Sequence, residues 1–180
     1  MTSTLPELQR VRADHEGPIL AFERENRAYF AASIPDRGDE FFDDHAQRHR
    51  ELLARQQAGA AAFYVLVADD GSVLGRFNLV FVGEGVAELG YRVAQRVTGR
   101  GVATAAVREL CRFAASRHGL TTLRAATSSD NIASQQVLRK AGFVPVGPAD
   151  PSELSGKEGT WYERNVADEP RREDSRSQGS

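Results

Sequence analysis

Arg96-Val97-Thr98-Gly99-Arg100-Gly101-Val102-Ala103-Thr104 lies between an alternating apolar run, Ala87 to Val93, and a run of helical periodicity, Val102 to His118. A strand that empties into a glycine-rich turn and then a helix aims several unpaired backbone N–H groups at one spot. The positive end of the helix dipole lies behind them. Gly99 and Gly101 lack a Cβ, so the backbone can take unusual dihedrals and lie close against a ligand. Arg96 and Arg100 add charge that pairs with phosphate oxygens. The stretch reads as the seat of a pyrophosphate-bearing cofactor. Taken alone, the glycine pair also fits an ordinary turn ahead of a helix. Two other phosphate loops are excluded. There is no Gly-x-x-x-x-Gly-Lys-[Ser/Thr] run, and Thr104 stands where a dinucleotide fingerprint has its third glycine.

Upstream of the turn, Ala62 to Ala68 is rich in β-formers, and Asp69-Asp70-Gly71-Ser72 is a tight hairpin signal. Val73 to Val82 and Val86 to Val93 follow in antiparallel succession, joined at Gly83-Glu84-Gly85. Downstream, Gly119 terminates the helix and Leu120 to Ala126 forms the next strand. Because that strand follows a helix, it can lie parallel to the strand before the glycine turn. A polar turn, Thr127 to Asn131, leads into a helix over Ile132 to Ala141 that Gly142 ends. Strands over Phe143 to Val146 and Gly159 to Val166 complete the series.

Nearer the start, Leu8 to Arg12 reads as a short strand, and apolar spacing predicts a helix from Pro18 to Ser33. Asp39 is the expected N-cap of a second helix running to Gln57. His45 and His49 stand four apart on it. The sequence His-Ala-Gln-Arg-His lacks the Glu of a zinc protease, so a solvated or half-buried helix face is expected there, and no metal.

The 180 residues suffice for one domain with a substantial core, and 41% hydrophobic with 27% charged residues is ordinary for a globular chain. A net charge of −2 gives no global attraction to nucleic acid or anionic membrane, so neither is an expected partner. No apolar run approaches the ~20 residues that span a bilayer. Met1 to Glu7 lacks the basic-then-apolar pattern of a secretory signal. Cys111, the sole cysteine, falls on the apolar side of a helical pattern and reads as a core residue in a reducing cytoplasm. One domain is expected over residues 1–166 and a disordered tail over 167–180, which has no apolar residue from Asp168 onward.

The most specific string is Asn131-Ile132-Ala133-Ser134-Gln135-Gln136-Val137-Leu138-Arg139-Lys140-Ala141-Gly142-Phe143. With Arg96-x-x-Gly99-x-Gly101 upstream, it resembles the GNAT superfamily of acetyl-CoA-dependent N-acetyltransferases. Glu88-Leu89-Gly90-Tyr91-Arg92-Val93 is similar to the branch that acetylates ribosomal-protein N-termini. The likeness covers residues 8–166 in element order, with its specific motifs confined to 88–143.

That resemblance implies an α/β (α+β) fold. It has a mixed, mostly antiparallel twisted sheet of six to seven strands with a central parallel splayed pair, and about four flanking helices. The first strand of the pair carries a bulge and the two open into a V. The pantetheine of acetyl-CoA lies in that gap, along the backbone of Tyr91, Arg92 and Val93. The pyrophosphate rests on the N–H groups of Val97 to Ala103, within the stretch Arg96, Val97, Thr98, Gly99, Arg100, Gly101, Val102, Ala103 and Thr104. Asn131 touches pantetheine and Ser134 faces the thioester.

By the same resemblance a primary amine attacks the acetyl carbonyl. Glu88 is the candidate base, working through water, though it also reads as an exposed strand carboxylate. The Val93 N–H stabilises the carbonyl oxygen. Leu138 stands where many relatives have a proton-donating tyrosine, which leaves Ser134, and more weakly Tyr91, as donor. The acceptor enters past Glu23, Asn26, Phe30, Asp36, Asp39 and Glu40 on one side and Lys157, Glu158 and Trp161 on the other. These carboxylates favour a cationic amine or form a solvated acidic surface. The acceptor is expected to be the α-amine of a peptide or protein. Alternatives are a small amine, or a non-catalytic acetyl-CoA-binding module. A monomer or homodimer is expected.

Overall fold

Ala61–Val67 (Ala-Ala-Phe-Tyr-Val-Leu-Val) offers no polar side chain to water on either face, and it forms a strand covered on both. The computed structural model describes residues 5–167. Seven strands are present: β1 Glu7–Arg10, β2 Ala61–Val67, β3 Val73–Gly83, β4 Val86–Val93, β5 Thr122–Ser128, β6 Val144–Ala149 and β7 Gly159–Asn165. They form one sheet in the order β1-β2-β3-β4-β5-β7-β6, in which β4 and β5 are the parallel pair. Six helices accompany it: α1 Glu16–Glu25, α2 Arg27–Ala31, α3 Asp39–Asp43, α4 His45–Gln57, α5 Val102–His118 and α6 Ile132–Lys140. All but Ala167 of the expected tail lies outside the described residues.

β2 explains the layering. Ala61, Phe63 and Val65 pack with Ile19, Phe22 and Phe30 of the N-terminal helices. Ala62, Tyr64 and Leu66, pointing the other way, join Leu79, Leu89, Val107, Leu110 and Leu123 under α5. Cys111 is fully buried in that second layer, as its place in the helical pattern predicts, and burial raises its thiol pKa.

Four expected helical runs are there, but each of the first two is split. Asn26 (φ −103°, ψ 8°) separates α1 from α2, and Asp44 (φ −99°, ψ 20°) separates α3 from α4. At the first break the Asn26 side chain donates to the Phe22 carbonyl at 2.9 Å and competes with the helical ladder. Asp39 is not the cap expected of it. Gly38 holds that position at φ 82°, and the Asp39 carboxylate accepts from Arg27 instead, at 2.9 Å. The solvated histidine face is also corrected, since His45 and His49 are both buried. His45 Nδ1 lies 2.9 Å from a Glu16 carboxylate oxygen and His49 Nε2 lies 2.8 Å from the Arg12 carbonyl. These partners satisfy the rings inside the N-terminal layer.

Tyr64 Oη and His118 Nε2 lie 2.8 Å apart at the C-terminus of α5. Burial, helped by the charges of Arg10 and Arg117, brings the His118 pKa down to about 4. The folded protein therefore keeps this imidazole neutral where the unfolded chain, near 6.5, begins to protonate it. Its contribution to stability is complete above about pH 6.5 and is lost as the pH falls toward 4. Denaturant midpoints measured across that window should decline, and His118→Asn should flatten the decline.

β4 and β5 determine where a ligand can enter. Their parallel register holds at Val86↔Thr122, Ala87↔Leu123 and Glu88↔Arg124, and then stops. β4 continues to Val93 against β3, while β5 continues to Ser128 against β7. The splay is therefore present without the implied bulge in β4. From Ala87 to Val93 its register on β3 is unbroken, and the irregularity lies between Phe81 and Gly83 of β3. The strands diverge because each follows its outer neighbour. Tyr91 and Leu138 lie at the opening between them.

Candidate active site

Ala94 N–H donates to the Leu74 carbonyl on β3 at 2.8 Å. Backbone polar groups alternate sides along a strand, so those of Arg92 also face β3, and those of Leu89, Tyr91 and Val93 face the gap. Of the three residues expected along a pantetheine arm, Tyr91 and Val93 thus present main-chain groups to the opening. The Arg92 backbone faces β3, and its side chain turns to the α1–α2 side, 4.8 Å above the Phe30 ring.

The glycine turn supplies the second part of the site. Val97 and Thr98 N–H groups already donate to Ala94 and Gln95 carbonyls in a short 3-10 turn. This shortens the expected row of free donors at its start. The first backbone bond into α5 is Ala105 N–H to the Gly101 carbonyl. Among the described residues the N–H groups of Gly99 to Thr104 make no short, well-aligned bond to a backbone carbonyl, although the chain turns over 98–101. Gly99 (φ 75°) and Gly101 (φ 74°) are both left-handed, and a Cβ on either would meet open space rather than protein. A concave row of unused donors at a helix N-terminus fits a diphosphate. Arg96 and Arg100 do not line the cavity here. Arg96 instead donates to Ser72 Oγ at 3.2 Å.

Two cavities open on this gap. The first, of about 430 Å³, is walled by the glycine turn, by Arg92 and Val93, and by α6 residues. The second, of about 640 Å³, lies between residues 31–35, the diverging strands and residues 153–157. Ser33, Ile34, Tyr91, Asn131 and Ser134 line both, so the cavities meet there. Asn131 caps α6 by accepting from Ser134 N–H at 3.1 Å. Ser134 Oγ lies 3.1 Å from Tyr91 Oη, and burial raises the Tyr91 pKa, so the phenol keeps its proton. At the junction two hydroxyls share a hydrogen bond, which gives it both a donor and an acceptor.

A cavity on helix-N-terminal amides, joined to a second one at a pair of hydroxyls, has the form that suits a phosphate-tailed cosubstrate meeting an acceptor. Residues 7–144 match the family described as Acetyltransferase (GNAT) domain, and the chain belongs to it. It is accordingly an acetyl-CoA-dependent N-acetyltransferase. The Bacillus subtilis protein named Probable N-acetyltransferase YjcK is 28% identical over 138 residues, covering 72% of this chain and 75% of its own length. The Vibrio fischeri ribosomal-protein-S5-alanine acetyltransferase superposes with a TM-score of 0.84 at 19% identity, covering 93% of this chain and 97% of that one. Mycobacterium smegmatis RimJ, solved with a coenzyme A disulfide, gives 0.78 at 22% identity, covering 91% and 83%.

Several expected site residues line neither of these two cavities. Glu88 pairs with Arg124 at the last closed position of β4 and β5 and lines neither cavity. Asn26 is buried and lines neither. Its Oδ1 accepts from Gln95 N–H at 3.0 Å, so it ties α1 to the turn after β4. Trp161 lines neither, and its ring lies under the Arg124 guanidinium at 4.4 Å. Phe30 does line the cofactor cavity.

The acidic rim is largely neutralised. Glu23 is 2% exposed and accepts from Arg76 at 2.7 Å and Arg92 at 3.3 Å, with Arg37 at 3.9 Å. Asp36 and Asp39 both receive Arg27. Burial, with Arg37 alongside, lowers the Arg92 pKa to about 10, which leaves it charged at neutral pH. Glu23→Gln removes the one carboxylate that Arg37, Arg76 and Arg92 share among the described residues. It should cost on the order of 2 kcal/mol in denaturant unfolding.

The carboxylates that do line the larger cavity, the one open to an acceptor, are Asp130 and Glu153, which the sequence did not single out. Asp130 is engaged by Ser128 Oγ at 2.6 Å and Lys157 Nζ at 3.2 Å, and these bonds hold its pKa below the usual range. Among the described residues Glu153 has no side-chain partner. It sits in a 3-10 turn, Pro151–Leu154, that Asp150 caps through Ser152 N–H.

Proposed function

We infer that this enzyme acetylates the N-terminal α-amine of a peptide or protein. The observation that carries the reading is the neutralised rim. Glu23, Asp36 and Asp39 are held by arginines and Asp130 by Lys157. Glu153 is the one carboxylate lining the acceptor cavity that has no side-chain partner among the described residues, too little to select a polycation. A single α-amine of pKa about 7.7–8.0 is more easily made neutral than a side-chain amine near about 10.4. The Vibrio fischeri neighbour, whose name gives alanine of ribosomal protein S5 as its acceptor, supports the same direction. The need for acetyl-CoA and the single buried thiol of Cys111 suit a cytoplasmic setting.

In this reading the N–H groups of Gly99 to Thr104 hold the diphosphate and the Tyr91 and Val93 backbones pair with the pantetheine arm. The Val93 N–H also serves the carbonyl oxygen as charge develops. Glu153 takes the proton of the incoming amine. It is preferred to Glu88 because it lines the acceptor cavity and its carboxylate has no partner among the described residues. The Ser134–Tyr91 hydroxyl pair donates to the departing thiolate, whose pKa near about 8.5 asks little of it. Free-thiol release measured over short peptides, spermidine, amino acids and an aminoglycoside tests the acceptor. Peptides should give the highest kcat/KM, their N-terminally blocked forms should be inert, and a preference for spermidine would overturn the reading.

A further inference from the structure

The chain contains two lysines, Lys140 and Lys157, against 21 arginines. Both stand on the site: Lys140 lines the cofactor cavity and Lys157 the acceptor cavity. A guanidinium keeps its proton and is no acyl acceptor at neutral pH, so this bias strips the molecule of competing amines. Lys157 is the one side-chain amine among the described residues that lines the acceptor cavity. Its Nζ donates to the Ser33 carbonyl at 3.0 Å and to Asp130 Oδ2 at 3.2 Å. Ser33 lines both cavities, and Asp130 immediately precedes Asn131, which also does. The amine is thereby tethered beside the junction where an acetyl group would be presented.

We propose that Lys157 is itself an acceptor, acetylated in cis from the enzyme's own acetyl-CoA. The proposal rests on the acetyl-transfer reading of the cavity above. An ammonium cannot attack, so one proton must first leave Nζ, to Glu153 on the same wall or through it to water. The neutral nitrogen then bonds to the acetyl carbonyl carbon as the carbon–sulfur bond breaks. The coenzyme A thiolate leaves with the electron pair and takes a proton, and the amide nitrogen sheds its second one. Nζ must first give up its contacts with Ser33 and Asp130, so the step is slower than turnover of a bound α-amine.

The modification changes the site. The bridge from Lys157 to Ser33 and Asp130 ties together three separate segments that line the acceptor cavity. Acetylation removes the charge and leaves Nζ a single N–H, so both contacts can no longer be made. Asp130 is released toward the incoming amine, and the acceptor KM of the modified enzyme should fall for cationic acceptors.

The full-length enzyme incubated with acetyl-CoA and no added acceptor, followed by intact mass and peptide mapping, tests this. Lys157 should gain acetyl on the order of 100-fold faster than Lys140, and faster by the same order than Lys157 of the urea-unfolded chain. The rate per molecule should not depend on protein concentration, an excess of peptide acceptor should slow it, and Lys157→Arg should abolish it. Equal rates at both lysines, or an undiminished acetyl gain in Lys157→Arg, overturn the proposal. So does an unmodified Lys157 while peptide acceptors turn over, which leaves the acetyl-transfer reading intact. Absence of transfer to any amine overturns that reading and the proposal together.

Discussion

Gly101→Glu should weaken acetyl-CoA binding by at least ~10³-fold, through backbone strain and like-charge repulsion together. Gly101 caps α5 at φ 74°, in the left-handed region that L side chains enter at a cost of about 1–2 kcal/mol. Space is not the obstacle, since a Cβ there meets no protein atom within 4 Å. The open space is the place assigned to the diphosphate, and the new carboxylate would project beside it in a site walled by protein. Gly101→Ala isolates the strain and should lose only about tenfold. Isothermal titration with coenzyme A, on variants with wild-type circular dichroism, gives the comparison. Affinity retained in Gly101→Glu would move the diphosphate away from this turn.

Glu153→Gln should lower kcat by about 10³-fold with the coenzyme A affinity unchanged, the size expected for loss of a positioned general base. The substitution keeps the shape of a side chain that has no partner among the described residues, so stability should not move. The effect should be larger for a lysine-type amine than for an α-amine, because the former holds its proton more tightly. Glu88→Gln is the matched comparison. It alters a carboxylate outside both cavities and should keep wild-type kcat. The opposite pattern, with Glu88→Gln inactive and Glu153→Gln normal, returns the base to β4.

The parts of the fold legible in the sequence are those fixed by local rules. β4 and α5 fall at Val86–Val93 and Val102–His118 as their periodicities predict, and Gly119 adopts the left-handed cap (φ 62°) expected of a terminating glycine. The parallel placement of β5 follows from the helix before it. Long-range partners were not legible. Asn26 sits at helical spacing, and its contact with Gln95, distant in sequence, cannot be read from that spacing. Glu23 looked like a rim carboxylate until Arg37, Arg76 and Arg92 closed around it. His49 recurs at helical spacing with Ala46, Leu52 and Leu53, which is a sign of burial. Glu153 lies between β6 and β7 in a stretch without periodicity. The Asp150-Pro151-Ser152 turn was a signal of local order there, but not of a cavity wall.

A crystal structure of the protein soaked with coenzyme A tests most directly that the gap between β4 and β5 is the cosubstrate site. Phosphate oxygens should lie within hydrogen-bonding distance of the N–H groups of Gly99 to Thr104. The pantetheine should pair with Tyr91 and Val93, and the sulfur should reach the Tyr91–Ser134 hydroxyls. Strands that stay paired past Glu88 and Arg124, or a cofactor seated away from the glycine turn, would contradict it.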